Sequence, residues 1–182
     1  PRDVVSLTKT GFQGNPVGFR AVKLIAEAAA ALPVVCQDAE RRYDTHPVLA
    51  LLARPNAGQG RAELLEAVYG FLLLSGNAYL EAVPGAGRLP GELHVLRSDR
   101  MALVPGADGW PVAYDYSVGG RVHRFAVAEG VSPVCHIRAF HPTDDHYGLS
   151  PMQAAAVAVD VHNAASSWSK ALQDRMAAFC WS

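Results

Sequence analysis

Apolar positions along the chain change period twice, and the changes divide it into three regions. After a small, polar, glycine-containing opening at residues 1–14, which reads as a partly ordered arm, Val17, Ala21, Leu24, Ile25 and Ala28 recur at helical spacing. Asn15-Pro16 starts that helix, with asparagine as N-cap and proline at the first helical position. Leu32-Pro33 ends it, because a residue before proline is pushed out of the α region, and Val34-Val35-Cys36 follows as a short strand. Asp44-Thr45-His46-Pro47 opens a second helix, with Asp44 or Thr45 as its cap and Val48, Leu51 and Leu52 on one face. Arg54-Pro55-Asn56 stops it, and Asn56-Ala57-Gly58-Gln59-Gly60 is a turn-rich link. A third helix runs from Arg61 to Leu74, with Leu64, Leu65, Val68, Phe71 and Leu72 on one side, and Gly76 sits where a left-handed C-terminal cap belongs.

Beyond Gly76 the period falls from about 3.6 to 2: Tyr79, Glu81 and Val83 alternate with Ala78, Leu80 and Ala82. Strands are predicted at Leu93 to Leu96, Arg100 to Val104, Val112 to Ser117, Arg121 to Val127 and Val134 to Phe140. Gly119-Gly120 supplies a two-residue hairpin turn, which needs positive φ at both centres. Residues 77–140 are therefore a mostly antiparallel β region. After a polar loop, Ser150-Pro151 is a second cap-plus-proline start, and no proline or glycine follows as far as Ser182. If wholly helical, that stretch is about 48 Å long at about 1.5 Å per residue, and so long and alanine-rich a helix calls for neighbours. The predicted class is α+β: N-terminal helices, a mostly antiparallel β region and a long C-terminal helix.

Composition narrows the function. The chain has 182 residues, half of them apolar, enough for one substantial core with or without an appendage. Charged residues are 18%, below the usual quarter, which suits a surface covered by partners and equally suits an alanine-rich sequence. A net charge of −1 argues against a dedicated nucleic-acid binder but is compatible with a channel through which DNA slides, where strong phosphate contacts would act as a brake. Apart from Arg41-Arg42 the arginines are scattered, Arg88 among them, and form no nucleic-acid stripe. Cys36, Cys135 and Cys180 lie far apart and are odd in number, so a disulfide framework is not expected and a reducing cytoplasm is the default. The N-terminus lacks a signal-peptide pattern, and the apolar runs Phe71 to Leu74 and Ala28 to Val35 are too short to span a bilayer, so no membrane partner is expected.

Candidate chemistry is thin. Cys135, His136, His141, Asp144, Asp145 and His146 crowd together, but on a strand Cys135 and His136 point to opposite faces and the His141–His146 spacing fits no common zinc motif. Ser150 lacks the second glycine of a nucleophile elbow, and an N-cap role explains it. Gly85, Gly87 and Gly91 are not followed by the Gly-Lys-Ser/Thr of a phosphate loop. Catalytic residues, metal ligands and cofactors are therefore not expected.

The order of short signatures carries more weight. Asp44 to Asn56 contains His46-Pro47 and Pro55-Asn56, Leu73 to Tyr79 contains Gly76-Asn77-Ala78-Tyr79, and His136-Ile137-Arg138 leads to Gly148-Leu149-Ser150-Pro151. With Leu32-Pro33 before them, this set resembles the portal proteins of tailed bacteriophages, of the siphophage (Hong Kong phage) type, over about residues 15 to 165. A prophage or a gene transfer agent would carry the same protein. The resemblance implies a non-enzymatic structural protein of the virion, assembled in the bacterial host cytoplasm. It implies a ring, usually of twelve copies, at one capsid vertex, with capsid protein, the terminase packaging motor and a head–tail adaptor as partners. Double-stranded DNA would pass through it without sequence specificity. It further implies an arm at 1–14, a wing at 15–149 and the start of a stem at 150–182, with His46, Pro47, Pro55, Asn56, Gly76, Asn77, Tyr79, His136, Arg138, Gly148, Ser150 and Pro151 as structural motif residues. Stem, clip and crown segments follow the matched region in such proteins, and after Leu172 this sequence departs from their pattern, so a partial chain is expected. A head–tail connector or other virion component is the alternative, and a metal-dependent hydrolase using His136 to His146 a remoter one.

Overall fold

The computed structural model describes residues 3–87, 89–128 and 132–180; Pro1 and Arg2 of the expected arm, Arg88, and Trp181 and Ser182 of the expected long helix lie outside them. The fold is α+β, as the change of period predicts. Helices α1 (Val4–Leu7), α2 (Pro16–Ala30), α3 (Pro47–Ala53) and α4 (Arg61–Ser75) precede strands β3 (Asn77–Val83), β4 (Glu92–Leu96), β5 (Met101–Pro105), β6 (Pro111–Val118), β7 (Arg121–Ala126) and β8 (Val134–Arg138). A two-stranded hairpin, β1 (Cys36–Gln37) and β2 (Arg42–Tyr43), lies between α2 and α3, and α5 (Pro151–Ala154) and α6 (Ala156–Cys180) close the chain. None of the described helices is long and apolar enough to cross a membrane.

The β region forms two antiparallel three-stranded sheets, ordered β4-β3-β8 and β5-β6-β7. One core joins them with a residue from every strand: Tyr79, Leu96 and Val134 from the first, Met101, Tyr114 and Phe125 from the second. Period-2 alternation sends these side chains to one face and their neighbours to the other. The β6–β7 hairpin turns at Gly119 and Gly120, both at positive φ (57° and 77°). A second core gathers Leu7, Val22, Leu74, Met152 and Ala156, tying α1, α2, α4, α5 and the first turn of α6 together.

Five details depart from the sequence reading. Residues 4–13 are helical, an α-turn running into a π-helix (Thr8–Gln13), because Leu7 is drawn into the second core and Asp3 caps the backbone N–H of Ser6 at 2.7 Å. The stripe that gives α2 its helical period is not its packed face: Gly18, Val22, Ala26 and Ala30 are buried while Val17, Leu24 and Ile25 are exposed. Small residues suit that face, which meets α4 and the π-helix: a β-carbon on Gly18 would stand 2.0 Å from the Gly11 carbonyl oxygen. The strand expected at Val34-Val35-Cys36 is shifted to Cys36–Gln37, where Arg42–Tyr43 can pair with it. His46, rather than Asp44 or Thr45, caps α3: its Nδ1 accepts the N–H of Val48 at 3.2 Å. The C-terminal helix is interrupted at Ala155 (ψ 0°), after a single turn.

Candidate functional site

The motif residues fall into three knots of structure. At the first, His46 caps α3 and Pro47 fills its first turn. At the second, Pro55 is fully buried and its carbonyl accepts the N–H of Leu93 at 2.7 Å. Beside it, the Asn56 amide donates to the Leu93 carbonyl at 2.9 Å and accepts the N–H of Gly58 at 3.0 Å. This pins the loop after α3 to β4.

The third knot is the largest. It unites Gly76, Asn77 and Tyr79 with His136, Arg138, Gly148, Ser150 and Pro151, although up to about seventy residues separate them in sequence. Gly76 ends α4 in the left-handed region (φ 74°) and donates to Leu72 at 2.9 Å, so the chain turns sharply into β3. Its carbonyl then accepts the N–H of Ala139, beyond β8, at 2.8 Å. Gly148 passes so close that a β-carbon on it would stand 2.0 Å from the Gly76 carbonyl oxygen; one on Gly76 would stand 2.3 Å from that of Gly148. Two backbones touch here, and only glycine permits it.

Asn77 closes the contact. Its buried Oδ1 accepts the N–H of Gly148 at 2.8 Å and meets His136 Nε2 at 2.9 Å; its Nδ2 donates to the Ser75 carbonyl at 2.8 Å. Because Oδ1 is an acceptor, His136 must carry its proton on Nε2. The imidazole stacks on Tyr79 with ring centroids 4.3 Å apart and meets Tyr114 edge-on at 5.9 Å. Burial, with the nearby Arg138 charge second, pulls the histidine down to about 4, so it is neutral at pH 7. Burial also pushes the Tyr79 and Tyr114 hydroxyls up.

Ser150 roots the last helices. Its Oγ accepts the N–H of Gln153 at 3.1 Å as N-cap and lies 2.9 Å and 3.0 Å from the carbonyls of Leu73 and Leu74, to which it donates. One hydroxyl thus serves the start of α5 and the last turn of α4. Arg138 donates to the carbonyls of Asp145 and His146, and Asp144 accepts the N–H groups of His146 and Tyr147, both at 2.8 Å. These backbone bonds hold the Asp144 carboxyl below its ordinary range. Cys135 is exposed, on the face of β8 away from His136. The polar groups of this loop hold its own backbone; no group of three His, Cys, Asp or Glu converges on a point among the described residues. The arrangement fixes backbones: Arg138, His141 and Asp144 bond to main-chain groups of the loop and His136 to Asn77, while the buried Nδ1 of His146 makes no hydrogen bond among the described residues.

Some contributors carry no sequence signal. The Asn15 cap doubles as a clamp: its Nδ2 donates to Asn163 Oδ1 of α6 at 2.9 Å, while Asn163 donates to the Thr10 carbonyl at 3.0 Å. Tyr147 accepts the N–H of Leu103 at 3.0 Å and ties the loop to the second sheet. The pairing of Ser75 with Asn77 does carry a local signal, since a serine two residues before an asparagine at a helix end offers reciprocal bonds; Asn77 N–H to Ser75 Oγ is 3.1 Å.

A family model described as phage portal protein matches residues 16–179. The chain belongs to that family. The match spans the junction, the first core and all of the second core but Leu7. The portal chain is 75% identical to a chain in the neck of an empty GTA particle computed with C6 symmetry, with a TM-score of 0.91 over 96% of this chain and 47% of that one. It is 70% identical to a chain in the neck of a native GTA particle computed with C12 symmetry, with a TM-score of 0.84 over 96% of this chain and 46% of that one. A chain in the virion of a native gene transfer agent (GTA) particle is also 70% identical, with a TM-score of 0.86 over 96% of this chain and 46% of that one. Uncharacterized proteins of Rickettsia bellii (strain RML369-C) and Rickettsia felis (strain ATCC VR-1525 / URRWXCal2) are each 30% identical over 165 residues, covering 88% of this chain and 42% of theirs. The portal chain thus spans less than half the length of these relatives.

Proposed function

We propose that the chain is part of a subunit of a portal ring at the vertex of a phage-like or gene-transfer-agent capsid. The single observation that carries this is the family match over residues 16–179 together with 75% identity to a chain of a GTA particle neck. In this reading twelve copies surround an axis through which double-stranded DNA enters and leaves. Capsid protein, packaging motor and head–tail adaptor dock on the ring, which works sterically and without turnover. Residues 15–149 act as the wing, which sets subunit spacing, and the helices from Ser150 onward lead toward the axis as the start of the stem. The junction suits that role. A helix that must hold its direction under load needs a rigid root, and Ser150, Gly148 and Asn77 weld the start of α5 to α4, β3 and β8.

The test is assembly. The full-length protein, purified and imaged by negative stain with native mass spectrometry in parallel, is expected to form closed rings of twelve. A protein that stays monomeric across salt, pH and concentration would sink the reading.

A further inference from the structure

Among the described residues, the face of α2 turned away from α4 has no partner. Val17, Leu24 and Ile25 form a stripe at helical spacing, Leu32 stands just beyond the helix end, and each of the four is 52–63% exposed. Val34 and Val35 extend it onto the segment before the hairpin. The hairpin itself packs mainly on its own two strands: residues 31–45 are exposed apart from half-buried Cys36 and Tyr43. Asp38 holds its turn by accepting the N–H groups of Glu40 and Arg41 and the hydroxyl of Tyr43, and the Arg41 guanidinium lies 4.6 Å over the Tyr43 ring. A lone two-stranded hairpin is at best marginal in water, so a surface beneath it would be needed for a fixed position.

We propose that the α2 stripe and the hairpin beside it are the surface on which a second copy of this chain packs in the ring. The inference rests on the ring reading above and names where one subunit grips the next. Three observations favour a second copy as the occupant. The stripe leaves on the order of 500 Å² of aliphatic surface in solvent, more than half of the roughly 800 Å² that each partner buries in a standard interface. Chains 70–75% identical to this one come from particle necks computed with C6 or C12 symmetry. A head-to-tail ring also needs two different patches per subunit, and α6 supplies the other: Val157, Val161, Trp168, Leu172 and Met176 form a second exposed apolar stripe.

Leu24→Glu combined with Ile25→Glu in the full-length protein is expected to lower the yield of rings at least tenfold, read by native mass spectrometry, with far-UV circular dichroism unchanged. Val122→Glu, at an equally exposed valine of β7, is expected to leave the yield as it was. Rings that form at parental yield in the double variant overturn the proposal. If the two charges unfold the protein, a labelling measurement decides. Leu24→Cys, with every native cysteine of the full-length protein replaced by serine, Cys36, Cys135 and Cys180 among them, is expected to react with a maleimide at least tenfold more slowly in rings than in dissociated subunits. Equal reactivity in the two states overturns the proposal, and so does full protection in the dissociated subunit, the outcome if the rest of its own polypeptide covers the stripe. A parent protein that never forms rings removes both this inference and the function it rests on, whereas rings indifferent to residues 24 and 25 remove this inference alone.

Discussion

The junction around Asn77 and the outer face of α2 are built on opposite terms. At the junction, backbones from α4, β3, β8 and the approach to α5 lie in contact, the polar atoms of Asn77 are satisfied, and two glycines stand where no β-carbon fits. Along α2, an apolar stripe faces solvent with nothing from the described residues upon it. Substitutions at the first should therefore cost folding, and substitutions at the second should cost association. A chain that separates these duties can hold the direction of its last helices while leaving its sides adhesive.

The contrast is broken most severely at Gly148. Gly148→Ala would press a β-carbon into the Gly76 carbonyl, and a loss on the order of 4 kcal/mol, or no soluble fold, is expected from denaturant titration. A loss under about 1 kcal/mol would mean that the two backbones can part freely. Next is Asn77→Ala, which strands the N–H of Gly148 and the Nε2–H of His136 in a buried site; about 2–4 kcal/mol should be lost in the same titration.

The pH dependence is smaller. His136 sits at about 4 in the folded state against an ordinary 6.5, so between these values the unfolded chain binds more protons than the folded one. Stability should therefore fall as pH drops from about 6.5 to 4 and gain no further slope from this residue below that. Because the ring is only partly buried, the expected loss is about 1–2 kcal/mol. Urea midpoints across this range should show it, and His136→Gln should flatten the curve. An unchanged slope in that variant would show that the imidazole is not held neutral. The smallest effect sharpens the other half of the comparison: Leu24→Gln on the exposed stripe should shift the stability of the dissociated chain by no more than about 0.5 kcal/mol. A larger loss would mean that α2 leans on its own chain through this face.

Much of this was legible in the sequence wherever a residue acts on its near neighbours. Asn15-Pro16 and Ser150-Pro151 mark helix starts because a side-chain oxygen caps the turn three residues on, and Gly76 marks a helix end because the left-handed region excludes most side chains. The alternation from Asn77 onward announces strands, and Gly119-Gly120 announces a hairpin. The motif order pointed to the family, and the match over residues 16–179 agrees. Less legible was anything that depends on a partner distant in sequence. The α2 stripe has a clear period, yet that period does not tell which stripe meets α4 and which meets solvent.

Local chemistry is written in neighbouring residues, so element type, helix ends and turns follow from the order of amino acids alone. Packing is decided between segments that share no sequence proximity. The burial of Leu7, the clamp of Asn15 on Asn163 and the meeting of Gly76 with Gly148 each await the folded chain, because close approach and desolvation exist only once those segments are side by side.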